Sequence, residues 1–521
     1  MDLGFSENII VIHPDNLPST KSEYGVKILG SFIGTNEFIA NNLNDIISSW
    51  METTNKLIAF PDLQGRMILL RQCFTPKIYH LLRTISPHLS ENLVRQFSNM
   101  QKIILKSILG YDHMDELVWI QAQFAIKDGG LGLNHLDKVR HAAYVSSILG
   151  CREELSLTFP GLVQNMVIAP QVLDDREPPD IIIQFQSSVA TITECSEEIT
   201  LGNIFQLNES HHLQLQSRLT EILTKNLQQE LRRKLETDTK RLAWYQSVCG
   251  SEAGLWLSTL PKTAAQKMSN KEYQIALCYR LFLEQPLVIN GCRCDCKNHP
   301  SLDLRGHHLM TGCGKHGYRH ATHDALVTEL HQILNYLGIR NRVEETRCFQ
   351  LARPDSNKRP DISILPGPFT NTKIVTDIQV TCPVSGAGEG LQRPEARAPS
   401  VNVALQTGRM ATKAAQHKTA QYEEICRANG LGFKPLIFES TGLMHGTLID
   451  LLKRACQYAS DVKKIGKDIL FKYVTTLLSV RLQKSLTQAL IQRTYRLAST
   501  VIGSQHHHLS YQVITNADKT W

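Results

Sequence analysis

Two aspartates lie where two short strand-like segments can bring their carboxylates together. Asp361 begins the apolar segment Asp361–Leu365, and Asp377 follows 16 positions later within Ile374–Thr381. Side chains alternate faces along a strand, so each segment has an apolar back and a front that carries one aspartate. Two such carboxylates suit a hard cation, Mg²⁺ or Mn²⁺. The pair predicts phosphodiester hydrolysis, because a bound cation lowers the pKa of the attacking water and offsets charge on the leaving oxygen.

A helical segment after these strands offers a lysine. One stripe of it carries Ala411, Ala415, Lys418, Tyr422 and Ile425. The small alanines allow close approach to a sheet, whereas a lysine in a core-facing stripe is costly unless it meets an anion. Lys418 is therefore the candidate that stabilises the transition state, with Lys413 in reserve and Tyr422 beside it.

A third carboxylate is available on the strand-like segment Arg342–Phe349. Either Glu344 or Glu345 can supply it. Two acids alone are more typical of turn caps or of pairs with arginine, so the prediction depends on the ordered set of segments around them.

Cysteine and histidine are concentrated in a short stretch that breaks the helical pattern. Its members are Cys292, Cys294, Cys296, His299, His307, His308, Cys313, His316 and His320. Zn²⁺ prefers four such ligands in two close pairs. The first pair is Cys294 or Cys292 with Cys296, and the second is His308 or His307 with Cys313. Zinc binding would then fold this short segment, which has few core residues of its own.

The segments that position these residues follow the order helix, strand, strand, strand, helix, strand. The first helix stops at Gly338, the second stops at Asn429–Gly430, and Pro435–Ser440 forms the last strand. We predict an α+β multidomain chain that is mostly α over its N-terminal two-thirds, then has an α/β core, and closes with helices.

Upstream, the sequence predicts a hairpin and a series of helices. The segment GVKILGSFIG (25–34) is bounded by glycines, and Thr35 is a candidate helix cap. Pro76 must bend or divide the helical segment Leu63–Arg83. The basic segment Lys225–Arg241 is either a nucleic-acid face or, more typically, a solvated helix surface.

Several motifs together resemble one region of known proteins. These are CRCDC…GHHLMTGC, Arg319–His320, RPDI at Arg359–Ile362, DIQVTCP at 377–383 and the K-x₃-Y of Lys418–Tyr422. They resemble, in the same order, the CCHC zinc knuckle and the restriction-like endonuclease of the PD-(D/E)XK type that close the open reading frame of certain non-LTR (LINE-type) retrotransposons. GVKILGSFIG is similar to the end of a reverse-transcriptase palm, and Leu63–Pro87 is similar to its thumb.

The resemblance implies a DNA endonuclease that nicks target DNA to prime reverse transcription. It implies catalytic roles for Asp361, Asp377 and Lys418, with Tyr422 and Glu344 in support. Other implied roles are Mg²⁺ (or Mn²⁺) held by both aspartates and the backbone of Gln379, Zn²⁺ held by Cys294, Cys296, His308 and Cys313, and nucleic-acid contact by Arg319 and His320. In the simplest family pattern the lysine stands two residues after the second acid, where this sequence has Gln379.

One departure from the family limits the function that can be expected. The paired metal-binding aspartates of the polymerase palm, the YxDD signature, do not occur in the sequence. We therefore do not expect the chain to act as a reverse transcriptase by itself, and we expect it to be part of a larger element or a derivative of one. The alternative hypothesis is a catalytically silent nucleic-acid-binding remnant.

Bulk composition agrees with this class of protein. Thirteen cysteines in 521 residues do not form a disulfide framework and favour a reducing compartment, while a net charge of +7 is compatible with nucleic acid. We expect DNA and RNA as partners, no membrane, and action in the nucleus after synthesis in the cytoplasm, without an identified targeting signal. The predicted units are 1–34 (palm remnant), 35–127 (thumb-like helices), 128–290 (helical linker), 291–317 (zinc knuckle), 318–442 (endonuclease) and 443–521 (C-terminal helices).

Overall fold

A computed structural model describes most of the chain. The described residues are 25–158, 166, 180–195, 199–204, 214–250, 252–288, 290–297, 300–346, 348–349, 359–384 and 399–504. His299 and residues 1–24 of the predicted palm remnant lie outside them. Among the described residues, no helix is both long and apolar enough to cross a membrane.

The described fold is mixed α+β with helices predominating. Its helices are α1 (Asn36–Ala59), α2 (Leu63–Leu69), α3 (Tyr79–Thr84), α4 (Glu91–Leu109), α5 (Glu116–Gln123), α6 (Leu136–Gly150), α7 (Arg152–Thr158), α8 (Asp180–Thr193), α9 (Leu215–Leu235), α10 (Thr239–Val248), α11 (Asn270–Arg280), α12 (Tyr318–Tyr336), α13 (Val401–Ala404), α14 (Arg409–Ala428), α15 (Gly446–Lys463) and α16 (Lys467–Ser504). Short 3-10 helices cover Thr75–Ile78, Leu255–Ser258 and Lys315–Gly317, and single π-helical turns cover Leu70–Phe74 and His308–Gly312.

The strands form two small sheets. β1 (Gly25–Ile28) and β2 (Ser31–Gly34) make an antiparallel hairpin. The second sheet has the order β3 (Asn341–Val343), β4 (Ile362–Ile364), β5 (Ile374–Thr381) and β6 (Gly432–Glu439). Its first two pairings are antiparallel, and the pairing of β5 with β6 is parallel.

The chain divides into two compact units. The first comprises Met1–Pro61, Leu69–Leu105 and Asn134–Glu230, and the second comprises Asp62–Ile68, Lys106–Leu133 and Leu231–Trp521. Stacked rings mark the first core, where Phe74 and Phe97 have centroids 4.7 Å apart. The second unit contains the four-stranded sheet and every predicted site residue.

Small residues let α14 approach the sheet of the second unit closely. Ala411, Ala414 and Ala415 pack against Ile437 of β6, and all four are buried. Larger side chains at these positions would hold the helix farther from the strands, because buried cores are already filled to crystal-like density. The stripe predicted from the sequence therefore does face the sheet.

A buried carboxylate fixes where α14 begins. The Oε1 atom of Glu439, at the end of β6, accepts the backbone N–H groups of Met410 and Ala411 at 3.1 and 3.0 Å. Ser247 donates its hydroxyl to the other carboxylate oxygen. A negative charge at a helix N-terminus satisfies free N–H groups and complements the helix dipole. The end of β6 thus sets the axial position of the helix that carries Lys418.

Most of the local predictions are confirmed. The β1–β2 hairpin forms, the side chain of Thr35 accepts the N–H of Phe38 at 3.2 Å, and the helical segment around Pro76 is divided. One strand prediction was wrong. The strand predicted over Arg342–Phe349 ends at Val343, because Glu344 takes a left-handed backbone conformation (φ 47°) that strands do not continue through.

Candidate active site

A cleft of about 400 Å³ in the second unit collects most of the predicted catalytic residues. Its walls come from β5, the start of α12, α14 and the turn that precedes α12. Among the sequence-predicted residues, those that line it are Asp361, Asp377, Gln379, Lys418, Arg319 and His320. Arg319 and His320 are exposed at the cleft.

The two aspartates lie near each other where β4 begins beside β5. The register pairs Ile362 with Thr376; Asp361 directly precedes Ile362, and Asp377 directly follows Thr376. The backbone N–H of Asp361 donates to the carbonyl of Thr376 at 3.0 Å, its carboxylate accepts the backbone N–H of Ile378, and both aspartates line the cleft. Burial raises the pKa of Asp377, and the charge of Asp361 raises it further, while Lys418 lowers it.

Lys418 reaches the carboxylates as the helical stripe predicted. Its Nζ atom lies 2.7 Å from Oδ1 of Asp377, and the two side chains are 21% and 16% exposed. An ion pair this shielded from water is stronger than one on the surface. Lys413, the reserve candidate, is exposed on α14 and does not line the cleft, so the structure places Lys418 at the site.

His323 is a cleft residue that the sequence reasoning missed. Its Nε2 atom lies 3.1 Å from Oδ2 of Asp361, and its Nδ1 atom lies 3.1 Å from Oδ1 of Asp324. The hydrogen bond with Asp361 raises the pKa of His323 to about 9, against the effect of burial. A signal was present, since His323 stands three positions after His320 and therefore on the same side of a helix.

The two predicted supporting residues differ in what they contact. Tyr422 packs between Phe349 and Phe433, with Nζ of Lys418 5.7 Å from its ring centre, and its hydroxyl hydrogen-bonds with the cleft residue Asp377. Burial raises the pKa of Tyr422 to about 12, and the charge of Asp377 contributes to this increase. Glu344 forms an ion pair with Arg359 at 3.1 Å.

Glu345, the alternative third acid, also pairs away from the carboxylates. Its partner is Lys373, at 2.7 Å. Neither glutamate lines the cleft with the two aspartates, as far as the described residues show.

The lining of the cleft offers oxygen donors from three predicted residues. Asp361 and Asp377 supply carboxylate oxygens, and Gln379 on the same strand places a further polar group in the lining. Oxygen donors of this kind are those that Mg²⁺ and Mn²⁺ prefer, whereas no cysteine is among the lining residues described. In the structure His323 and Lys418 stand against these oxygens with their basic nitrogens.

The Cys/His stretch forms a second candidate metal centre. The Sγ atoms of Cys294, Cys296 and Cys313 and a ring nitrogen of His308 all lie within 4.8 Å of one another. Cys294 and Cys313 have sulfurs 3.7 Å apart, and Cys296 lies 3.6 Å from Nε2 of His308. With metal–sulfur bonds of about 2.3 Å, a tetrahedral site has edges of about 3.8 Å. This Cys₃His cluster can therefore hold a metal ion such as zinc.

Neighbouring groups support this arrangement. Asp303 accepts the N–H groups of His307 and His308 at 2.8 and 2.9 Å, which fixes the turn that carries the histidine ligand. The buried guanidinium of Arg493 donates to the carbonyl of Leu309 at 3.0 Å and lies 3.9 Å from Sγ of Cys294. The hydrogen bond with Cys294, to which Arg493 adds, lowers the pKa of the Cys313 thiol and favours its thiolate, the form that binds metal.

The alternative ligands do not join the cluster. The backbone carbonyl of Cys292 accepts the N–H of Leu302. His307 is half-buried beside aromatic rings, with Trp244 4.7 Å and Tyr279 5.6 Å from its ring centre.

Comparison with family models and with curated proteins finds no match to this chain.

Proposed function

We propose that the chain is a metal-dependent DNA endonuclease of the PD-(D/E)XK type. The observation that carries the proposal is the convergence of Asp361, Asp377 and Lys418 in one cleft. Two carboxylates that can hold a divalent cation, with a lysine beside them, are suited to phosphodiester hydrolysis.

Each residue then has a distinct part in the reaction. Asp361, Asp377 and the backbone carbonyl of Gln379 would hold Mg²⁺ or Mn²⁺, which when bound polarises the phosphate and lowers the pKa of a water. Lys418 places a positive charge where the phosphate gains negative charge in the transition state. Arg319 and His320, exposed at the edge of the cleft, contact the DNA backbone.

The Cys₃His cluster is proposed as a structural zinc site. Three thiols and one imidazole, all from one short stretch, match the ligand preference of Zn²⁺ and leave no open position for a substrate. The turn between two of its ligands also supplies Met310 and Thr311 to the cleft lining. Zinc would thereby hold one wall of the cleft in place.

The motif order further supports a place in a non-LTR retrotransposon protein. In that setting the endonuclease nicks target DNA in the nucleus and leaves a 3′ hydroxyl that a polymerase extends. The polymerase would be contributed by other parts of the element, with DNA and RNA as the partners of this chain.

A second candidate function is nucleic-acid binding without cleavage. It is favoured by the two ion pairs in the cleft, since His323 and Lys418 neutralise both carboxylates from within the chain. Gln379 also stands where the simplest family pattern has its lysine. In a protein that only binds nucleic acid, the cleft would act as a basic surface in which the charges of both carboxylates are neutralised.

Nicking of supercoiled plasmid separates the two functions. Wild type and Asp377→Ala, purified identically, are incubated with Mg²⁺ or Mn²⁺ while DNA affinity is measured on the same samples. The endonuclease predicts relaxed circles from the wild type alone, with equal binding by both proteins. Binding by both proteins without relaxed circles from either would replace the proposal with the second function.

A further inference from the structure

Basic side chains of the hairpin formed by α15 and α16 contact aromatic rings of the hairpin and of its neighbours at three places. We name this surface the basic–aromatic ridge and define it by the basic residues Lys453, Arg454, Lys463, Lys464, Lys467 and Lys472 and the rings of Tyr336, Phe369, Tyr458, Phe471 and Tyr473. All six basic residues are exposed. Between Lys453 and Lys472 the sequence has only Asp461 and Asp468 as acids, so this stretch has a net charge of +4 (six minus two).

The cations of the ridge stand over its rings. Lys463 lies 4.6 Å from the ring centre of Tyr336, Arg454 lies 5.6 Å from that of Phe369, and Lys453 lies 5.9 Å from that of Phe471. None of the six basic side chains forms an ion pair with another residue that the structure describes. Their charge is therefore available to an anionic partner.

The rings also pair with each other and remain open to solvent. Tyr336 and Tyr473 have centroids 5.7 Å apart, and each is 43% exposed. Apolar side chains extend the same surface, since Val462 is 67% and Ile469 is 68% exposed. Soluble surfaces rarely expose aromatic and apolar groups together, and such groups around unpaired cations mark a binding surface.

We propose that the basic–aromatic ridge binds a single strand of nucleic acid. A single strand presents both phosphates and unstacked bases, which match a surface that carries exposed cations beside the exposed rings of Tyr336 and Tyr473. In a duplex the bases are stacked inside and cannot reach the tyrosines. A lipid surface would use the isoleucine and valine but would not explain why the cations stand over rings.

The ridge lies one helix length from the cleft. α12 carries His323 near its start and Tyr336 at its end, which is 13 residues or about 20 Å along the helix axis. At about 3.4 Å per nucleotide, this distance corresponds to about six nucleotides. The inference rests on the proposed function for the identity of the ligand, and it assigns the ridge to the strand that leaves the cleft.

Binding of a fluorescent 20-nucleotide single strand tests this role without any cleavage. The background is the Asp361→Asn/Asp377→Asn protein without added Mg²⁺ or Mn²⁺ and without a chelator, so the result does not depend on nuclease activity and the Cys₃His cluster keeps its metal. Adding Lys463→Gln and Lys467→Gln is expected to reduce the slope of log affinity against log salt by about 1.4, because each lost phosphate contact removes about 0.7. Lys56→Gln, which removes an exposed lysine of α1, should leave the slope unchanged.

A ring exchange provides the second arm. Tyr473→Ala is expected to weaken single-strand binding about tenfold, and Tyr473→Phe is expected to keep wild-type affinity, because stacking requires the ring rather than the hydroxyl. Unchanged affinity in Tyr473→Ala and in the lysine variant would overturn the inference, whatever the plasmid assay shows. Binding to anionic vesicles that is lost in Val462→Ser/Ile469→Ser, with oligonucleotide affinity unchanged, would assign the ridge to a membrane surface instead.

Discussion

Removing one ligand of the Cys₃His cluster should unfold one wall of the active-site cleft. Cys313→Ser takes away the sulfur that lies 3.7 Å from Cys294, directly between the cleft residues Thr311 and Gly314. The substitution also removes a thiolate that interacts with Arg493, the buried residue that connects the cluster to α16. Loss of the metal should therefore destabilise both the cluster and the adjacent wall of the cleft.

The expected magnitude follows from linkage. A metal present at a thousandfold excess over its dissociation constant contributes about 4 kcal/mol to the free energy of unfolding. For a large domain each kcal/mol changes the melting temperature by about 2–4 °C, so the metal-free variant should melt about 10 °C lower. Nicking should fall at least about tenfold at saturating Mg²⁺, because the wall that carries Thr311 no longer holds its place.

The assay combines metal content, melting temperature and plasmid nicking on the same samples. Cys292→Ser is the matched control, since Cys292 lies two residues before Cys294 but is not part of the cluster. We expect about one zinc per chain in the wild type and in the control, and none in Cys313→Ser. A Cys313→Ser protein that keeps its zinc and its melting temperature, or a control that loses both, would refute the reasoning.

Three further predictions concern individual side chains. Lys418→Met should lower the nicking rate about 10²- to 10³-fold with little change in DNA affinity. Lys413→Met, on the exposed side of the same helix, should leave the nicking rate unchanged. Equal decreases in nicking rate in the two variants would contradict the assignment of Lys418. His323→Gln should lower the Mg²⁺ concentration needed for half-maximal nicking, because no imidazole then competes for Asp361, and an increase would contradict this. Burial lowers the pKa values of His135 and His141 to about 4. The free energy of unfolding should therefore be unaffected by these histidines above pH 6.5 and should decrease as the pH falls toward 4, because the unfolded chain then binds protons that the folded chain does not. Urea unfolding at pH 7 and pH 5 should show this decrease, and His141→Asn should make it smaller.

Local sequence patterns predicted the elements that carry the site. Strand alternation was sufficient to place Asp361 and Asp377 on one front, and both line the cleft. The helical stripe of α14 likewise placed Lys418 against the sheet while Lys413 stays exposed. In both cases the signal is a short-range periodicity that the backbone geometry fixes.

Tertiary contacts and special backbone conformations could not be read in this way. His323 meets Asp361 across 38 positions of sequence, and Arg493 meets Cys294 across 199. No local sequence pattern indicates that residues so far apart in the sequence are in contact. Glu344 has a left-handed backbone conformation, and its side chain forms an ion pair with Arg359. Its N–H still donates to the carbonyl of Asp361. The residue therefore lies next to Asp361 along the backbone, as predicted, but its carboxylate is not in the cleft lining.

The endonuclease itself is tested most directly by single-turnover nicking of an end-labelled duplex. Wild type, Asp361→Asn and Asp377→Asn are compared with Asp45→Asn, an isosteric change on the exposed side of α1. The proposal predicts Mg²⁺-dependent nicks that leave a 3′ hydroxyl from the wild type and from Asp45→Asn, and none from the two cleft variants. Nicks of equal rate from all four proteins, or from none of them, would contradict the assignment of Asp361 and Asp377 as the residues that cleave DNA.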